Sequence, residues 1–227
     1  MPLRAIVFDF DGVLANSEPL HLRAYQDVLV NEGVTLSERD YYARYLGYDD
    51  VGVFRTLSAD RGRGWTNVDI ERLIADKAAR LEALERHHSI LFPGAAEAVK
   101  RAALAVPIAI ASGALGAEIR RVLEREQLTS WFTAIVAAED TPVGKPAPEP
   151  YRRAVELLGR EAGGVLPAAD CVAVEDSRWG LESARRAGLR TVGVAQTYQR
   201  SALSDADLII DTIESLDLGD LARLWSA

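Results

Sequence analysis

The sequence predicts an α/β fold, a doubly wound parallel sheet with an inserted helical domain, on three observations. Short apolar runs recur along the chain, helical periodicities separate them, and several runs end in polar residues. The runs are Leu3–Phe10, Val106–Ala111, Ala134–Ala138, Cys171–Val174 and Thr191–Ala195, with a weaker one at Leu208–Ile210. They are continuously apolar, as strands buried on both faces of a parallel sheet are. Their alternation with helical segments implies helices on both sides of that sheet.

Taken in order, the first run passes straight into Asp9-Phe10-Asp11-Gly12. Residues i and i+2 of an extended strand face the same side, so both carboxylates converge on one spot. Like charges that close raise each other's pKa. A divalent cation relieves the repulsion, and Mg2+ is typically held by carboxylates together with substrate phosphate oxygens.

From Leu14 to about His88 the strand-like runs cease. Helical stretches at Glu18–Val30, Ser37–Leu46, Asp50–Ala59 and Asn67–Glu85 take their place, the last with Ile70, Leu73, Ile74, Ala78 and Leu81 on one apolar face. This insertion reads as a separate helical domain, residues 16–88, within a core of residues 1–15 and 89–227. Ala15-Asn16-Ser17 and His87–Pro93 connect the two, and Pro93-Gly94 mark the return.

The second run ends at Ser112-Gly113, followed by a helix carrying Leu115, Ile119, Val122 and Leu123. After the third run come Gly144-Lys145-Pro146-Ala147-Pro148 and a helix through Tyr151, Val155 and Leu158. The fourth run ends at Glu175-Asp176, before a helix through Leu181 and Ala184. Taken singly, Ser112-Gly113 reads as a helix N-cap, and Glu175-Asp176 as acids favouring a helix N-terminus. Lys145 alone reads as a surface lysine. Ligands in open α/β sheets bind outside the carboxyl ends of the strands. The rule brings carboxylates, a hydroxyl and a lysine from four segments to one rim, where an active site is expected.

Composition narrows the function classes. The 227 residues are 48% hydrophobic and 26% charged, ordinary for a globular chain with a sizeable core. A net charge of −8 without a basic block argues against a nucleic-acid partner. It still permits an anionic substrate, because a metal and a few local cations dominate a site's potential. Cys171 is the only cysteine, so no internal disulfide forms and a reducing compartment is expected; its setting is that of a buried strand residue. The N-terminus lacks the pattern of a signal peptide, and no apolar run approaches the roughly 20 residues of a membrane span. A cytoplasmic protein with no membrane partner is expected, and a monomer, since no coiled coil or tail is evident. Trp131, Trp179 and Trp225 read as packing residues.

In this order, Asp9-Phe10-Asp11-Gly12-Val13-Leu14, Ala111-Ser112-Gly113, Gly144-Lys145-Pro146-Ala147-Pro148 and Val174-Glu175-Asp176-Ser177 resemble the four motifs of the haloacid dehalogenase (HAD) superfamily. The resemblance covers essentially the whole chain, in the subgroup with a helical cap after the first strand. It implies a Rossmann-like core, Mg2+ as cofactor and a small phosphorylated metabolite as substrate. It implies Asp9 as the nucleophile that forms an aspartyl-phosphate, and Asp11 as the acid, then base, for the leaving oxygen and the attacking water. Ser112 and Lys145 would bind the transferring phosphoryl oxygens, with the Gly113 N–H as a further donor. Mg2+ would be held by the Asp9 carboxylate, the Asp11 backbone carbonyl and the Asp176 carboxylate, with Glu175 beside them.

Within the superfamily the chain looks most like β-phosphoglucomutase and small-metabolite phosphatases. That likeness gives His21 a part as proton relay, and Gly47 and Lys77 a part in substrate binding by the cap. A mutase needs a second phosphate grip in the cap, carried there by a Gly-Val-Ser-Arg-like segment. This chain has Gly47-Tyr48-Asp49-Asp50, an aspartate where the arginine would stand, so a phosphatase is implied before a mutase. Tyr41, Tyr42, Tyr45, Tyr48 and Trp65 would form the cap core or a wall facing substrate. A non-catalytic phospho-switch would gain nothing from Asp11, and dehalogenase chemistry needs neither Asp11 nor the Glu175-Asp176 pair.

Overall fold

In the computed structural model of the chain, which describes residues 3–46, 48–86 and 89–225, the six apolar runs lie side by side as one parallel sheet. The strands are β1 (Ala5–Phe8), β2 (Ile108–Ala111), β3 (Ala134–Val136), β4 (Cys171–Glu175), β5 (Arg190–Val194) and β6 (Leu208–Ile210). Their order is β3-β2-β1-β4-β5-β6. In register, Ile6 lies beside Ile108 on one side and Val172 on the other. The chain winds outward from β1 to β3, then crosses back to β4 at the opposite edge of β1. Such a reversal opens a crevice at the strands' carboxyl ends, where β1 and β4 deliver their acids.

By contacts the chain divides into two compact units, Met1–Asn16 with Ile90–Ala227, and Ser17–Ser89. The second unit is helical: α1 (Glu18–Asn31), α2 (Glu38–Asp40), α3 (Asp50–Asp60) and α4 (Asn67–Glu85). The first adds α5 (Ala95–Ala105), α6 (Gly116–Arg125), α7 (Glu149–Glu161), α8 (Arg178–Ala187) and α9 (Leu218–Arg223) to the sheet.

Alternation along the strands sorts small from large side chains. Ala5, Val7, Ala109, Ala111 and Ala173 share one cluster with Tyr151, Ala154, Val155 and Leu158 of α7 and Ala184 of α8. Ile6, Phe8, Ile108, Ile110, Val172 and Val174 are turned to the opposite face and are fully buried too. Alanines under α7 let that helix lie close to the sheet, which places its N-terminal turn against the end of β4. Cys171 is buried in the same cluster.

The expected helix at Ser37–Leu46 is instead two pieces. After α2 the chain widens into a π-helical turn at Tyr41–Tyr45, closed by the Leu46 N–H on the Tyr41 carbonyl. The wider turn buries both tyrosine rings and leads their hydroxyls to Glu18 (2.6 Å) and Asp60 (2.7 Å). Hydrophobic spacing alone does not distinguish such a turn from an α-helix. The buried face of α4 also differs: Ile70, Leu73, Lys77 and Leu81 point inward, while Ala78 is exposed. Thr66 and Asp69 form a capping box at the start of that helix. Among the described residues no helix is long and apolar enough to cross a membrane.

Candidate active site

β1 delivers Asp9 beside the end of β4, where its N–H donates to the Val174 carbonyl at 2.9 Å. The chain then turns sharply. The Phe10 carbonyl accepts from the Leu14 and Ala15 N–H groups, and the Gly12 N–H donates to the Ala15 carbonyl at 2.8 Å. Gly12 sits at φ +78°, which glycine adopts without steric cost. A Cβ there would also overlap the Asp176 carboxylate, so this glycine is required twice over.

Lys145, in the loop before α7, reaches back to the same place. Its Nζ lies 2.8 Å from Asp9 Oδ1 and 2.5 Å from Glu175 Oε1. The Tyr151 hydroxyl donates to that Glu175 oxygen at 2.6 Å, and the Lys145 ammonium stands 5.2 Å from the centre of the Tyr151 ring. Ser177 Oγ donates to Glu175 Oε2 at 3.3 Å. Glu175 is wholly buried, packed on Gly180 of α8, where a Cβ would overlap its carboxylate. Gly180→Ala is therefore expected to cost about 1–3 kcal/mol by overpacking, read as a lower urea midpoint with an unchanged slope.

Ser112 is buried at the end of β2, with its N–H on the Val136 carbonyl and its Oγ accepting from the Ala114 N–H at 3.1 Å. It closes a short turn and does not cap a helix. α6 begins later, at Gly116, and the Gly116 N–H bonds the Glu139 carboxylate at 3.0 and 3.2 Å. Gly113 follows Ser112 on this rim. Likewise Ser177, not Glu175 or Asp176, caps α8, accepting from the Gly180 N–H.

Ligand oxygens of Asp9, Glu175 and Asp176 all lie within 4.8 Å of one another, and all three residues are buried. The Asp11 carboxylate is not one of the three, although its charge helps raise the pKa of Asp176. Burial first, then the charge of Glu175, pushes Asp176 up to about 7. The same two causes raise Asp9 well above the usual carboxylate range, against the opposing pull of Lys145. Burial alone would lower the Lys145 pKa, but Asp9 and Glu175 more than offset it and hold the ammonium charged. Three carboxylates against one ammonium leave an excess of negative charge away from water. An all-oxygen, anionic donor set of this kind fits a small hard dication such as Mg2+.

The helical unit holds a second polar cluster. The Lys77 ammonium, 3% exposed, donates to Asp50 Oδ1 at 2.8 Å and to His21 Nδ1 at 3.0 Å. Tyr25 OH donates to the same Asp50 oxygen at 2.5 Å. Lys77 is thus an interior residue of the helical unit. Gly47 falls outside the described residues. Burial and then the Lys77 charge lower His21 to about 4, with Asp50 opposing. A histidine with a depressed native pKa contributes stability above about pH 6.5 that is lost as the pH falls through 4. Acidification across that window is expected to cost up to about 3 kcal/mol at this residue, and His21→Gln to flatten that part of a pH–stability profile.

Several side chains depart from their expected settings. Trp179 is 47% exposed, with the Arg178 guanidinium 4.2 Å from its ring centre, and is not a packing residue. Trp225 donates its indole N–H to the Ala169 carbonyl at 2.9 Å. Tyr41 and Tyr45 are buried in the helical unit's core with Trp65 against them, while Tyr42 and Tyr48 are exposed. Sequence patterns did not single out Tyr151, Gln196 or Thr197. Tyr151 reads only as an apolar position of α7. Gln196 and Thr197 directly follow the fifth apolar run, so the strand-end rule that singled out Ser112 and Glu175 extends to them.

The chain is similar to several known proteins. A family model described as haloacid dehalogenase-like hydrolase matches residues 3–188. Protein CbbY of Rhodobacter capsulatus is 34% identical over 88% of this chain and 88% of its own length. Hexitol phosphatase B of Escherichia coli (strain K12) is 33% identical over 90% of each. The crystal structure of CbbY from Rhodobacter sphaeroides in complex with phosphate superposes with a TM-score of 0.77 at 26% identity, covering 94% of this chain and 96% of that one.

Proposed function

The chain belongs to the haloacid dehalogenase-like hydrolase family, and on that premise we propose that it is a Mg2+-dependent phosphatase that cleaves small phosphorylated metabolites, sugar phosphates foremost. The observation that carries the reading is the Lys145 ammonium 2.8 Å from Asp9 Oδ1 within a buried carboxylate cluster. A cation beside a nucleophile suits an incoming phosphoryl group, whose transfer depends chiefly on positioning and charge neutralisation. The relatives' names, hexitol phosphatase among them, support the substrate class.

In this mechanism the Asp9 carboxylate attacks phosphorus and becomes an aspartyl-phosphate, while Asp11 gives its proton to the departing oxygen. Asp11 then takes a proton from the water that attacks the aspartyl-phosphate, and Asp9 is regenerated. Lys145 and Ser112, with the Gly113 N–H, bind the phosphoryl oxygens. Asp9 and Asp176, with Glu175 and the Asp11 backbone carbonyl, would hold Mg2+, which when bound supplies charge neutralisation to both phosphate and carboxylates. The helical unit Ser17–Ser89 takes the part of a substrate-selecting cap, with His21 and Gly47 as its candidate contacts and the buried Lys77 acting through His21.

The companionship of His21 and Lys77 in the helical unit favours, as a second reading, a β-phosphoglucomutase-like enzyme. Against it stands Asp50. Its carboxylate already pairs with the Lys77 ammonium, so no uncompensated cation remains at Lys77 for a distal phosphate.

The test is phosphate release from a hexitol phosphate, β-glucose 1-phosphate and phosphoglycolate, each with Mg2+ and with chelator. Mg2+-dependent release from at least one is expected, with chelation lowering the rate by about 100-fold or more. Conversion of β-glucose 1-phosphate to glucose 6-phosphate with a bisphosphate primer, without net phosphate release, would establish the mutase instead.

A further inference from the structure

Two polar side chains in the loop after β5 take no part in that mechanism, yet they are bonded to the turn that follows Asp11. Gln196 Nε2 donates to the Gly12 carbonyl at 2.9 Å and to the Val13 carbonyl at 2.8 Å. Its Oε1 accepts from the Ile213 N–H at 3.0 Å. Thr197 Oγ1 lies 3.1 Å from the same Gly12 carbonyl and also shares a hydrogen bond with the Asp176 carboxylate. One side-chain amide thereby uses both its hydrogens and its oxygen to tie the turn to the segment beyond β6.

The turn itself explains the need. Phe10 to Ala15 is closed by its own short bonds, with the Gly12 N–H on Ala15 and the Leu14 and Ala15 N–H groups on Phe10. Those bonds leave the Gly12 and Val13 carbonyls to find donors elsewhere, and buried or half-buried carbonyls do find them. Here the donors come from β5's loop, a segment distant in sequence and fixed by the sheet. Gly12 also lies directly against Asp176, so the height of the turn sets the spacing between Asp11 and the β4 acids.

We propose that Gln196 and Thr197 are positioning residues that hold the Asp11–Val13 turn in register with Asp176, and so aim Asp11 at the leaving oxygen. The inference rests on the acid role of Asp11 in the phosphatase reading. Misplacing a catalytic group by about 1 Å costs on the order of 10²-fold, so loosening the clamp has a measurable consequence.

Two esters separate acid catalysis from everything else. When the P–O bond of an alkyl phosphate breaks, the alcohol departs as a poor alkoxide leaving group unless its oxygen is protonated. The same bond of p-nitrophenyl phosphate breaks to release a stabilised p-nitrophenolate, which needs no proton. Values of kcat/KM cover only the steps through phosphorylation of Asp9, so the base role of Asp11 does not enter.

Gln196→Glu keeps the side chain's shape and its acceptor for Ile213, but sets a carboxylate oxygen against two carbonyls. Gln196→Met, of equal length and uncharged, serves should the glutamate variant not fold. The expected result is a fall of about 10–100-fold in kcat/KM on the best alkyl phosphate, against less than about threefold on p-nitrophenyl phosphate. Thr197→Val is expected to fall in the same direction, and Thr197→Ser to recover. Calorimetric titration with Mg2+, which needs no turnover, should show weaker binding for Thr197→Val and recovery for Thr197→Ser, as partners of metal-site carboxylates generally do. Equal losses on both esters, or none, would overturn the positioning role. A wild-type enzyme that hydrolyses neither ester would overturn the phosphatase reading, and the inference with it.

Discussion

Asp9→Asn is expected to lower phosphate release by about four orders of magnitude or more, as loss of a covalent nucleophile generally does, while the protein remains folded. An amide does not form the acyl-phosphate bond, and neither carboxylate at the end of β4 is placed to replace it. Glu175 is held by Lys145, Tyr151 and Ser177, and Asp176 lies under Gly12. The substitution keeps the side chain's shape and removes one charge from a cluster in which burial and Glu175 already oppose ionisation. Without Mg2+ its melting temperature should equal or exceed that of the wild type. Steady-state kinetics with calorimetric melting checks both halves, and residual Mg2+-dependent turnover above about 1% would remove Asp9 from the nucleophile's place.

Lys145→Met carries the second large effect, on stability as well as rate. The ammonium is bonded to both Asp9 and Glu175, at 2.8 and 2.5 Å. Removing one partner of a buried ion pair generally costs about 3–5 kcal/mol, because the other charge is left uncompensated. For a chain of this size that corresponds to a fall in melting temperature of about 10 °C. The pH dependence follows from the carboxyls. Burial and Glu175 raise the native pKa values of Asp9 and Asp176, the latter to about 7. A carboxyl raised in the folded state contributes stability at low pH that is lost as the pH rises through its native pKa. With Lys145 gone both pKa values rise further, so the deficit should be larger near pH 8 than near pH 5. Added Mg2+ should restore part of it. A loss below about 1 kcal/mol at pH 8 would mean the cluster does not depend on this lysine.

How far the sequence speaks for the fold depends on which residues carry the message. The six apolar runs each overlap an observed strand, with ends that differ by at most two residues, because strands buried on both faces are written as uninterrupted apolar residues. Asp9, Lys145, Glu175 and Asp176 were legible because the chemistry sits at strand ends or in a loop with its own motif, and the structure brings these four together. Ser112 was legible as a rim residue but not as the closure of a turn, since the helix start depends on Glu139 from another segment. Tyr151 was hidden by a helical period that counts it as apolar; only the tertiary approach of α7 to β4 reveals its hydroxyl's partner. Lys77 was hidden for the opposite reason. Its burial is paid for by Asp50, a residue on another helix, and no local pattern announces such a pair. Gln196 speaks to Gly12 across most of the chain's length.

The most direct test of the account is to quench the Asp11→Asn enzyme in acid during turnover of p-nitrophenyl phosphate, whose leaving group needs no proton from Asp11, and map the phosphorylated residue by peptide mass spectrometry. Without a base to activate water, the aspartyl-phosphate should accumulate, and the account predicts one added phosphoryl group, on Asp9. A phosphoryl group on any other residue, or turnover with none on the protein at any time point, would contradict it.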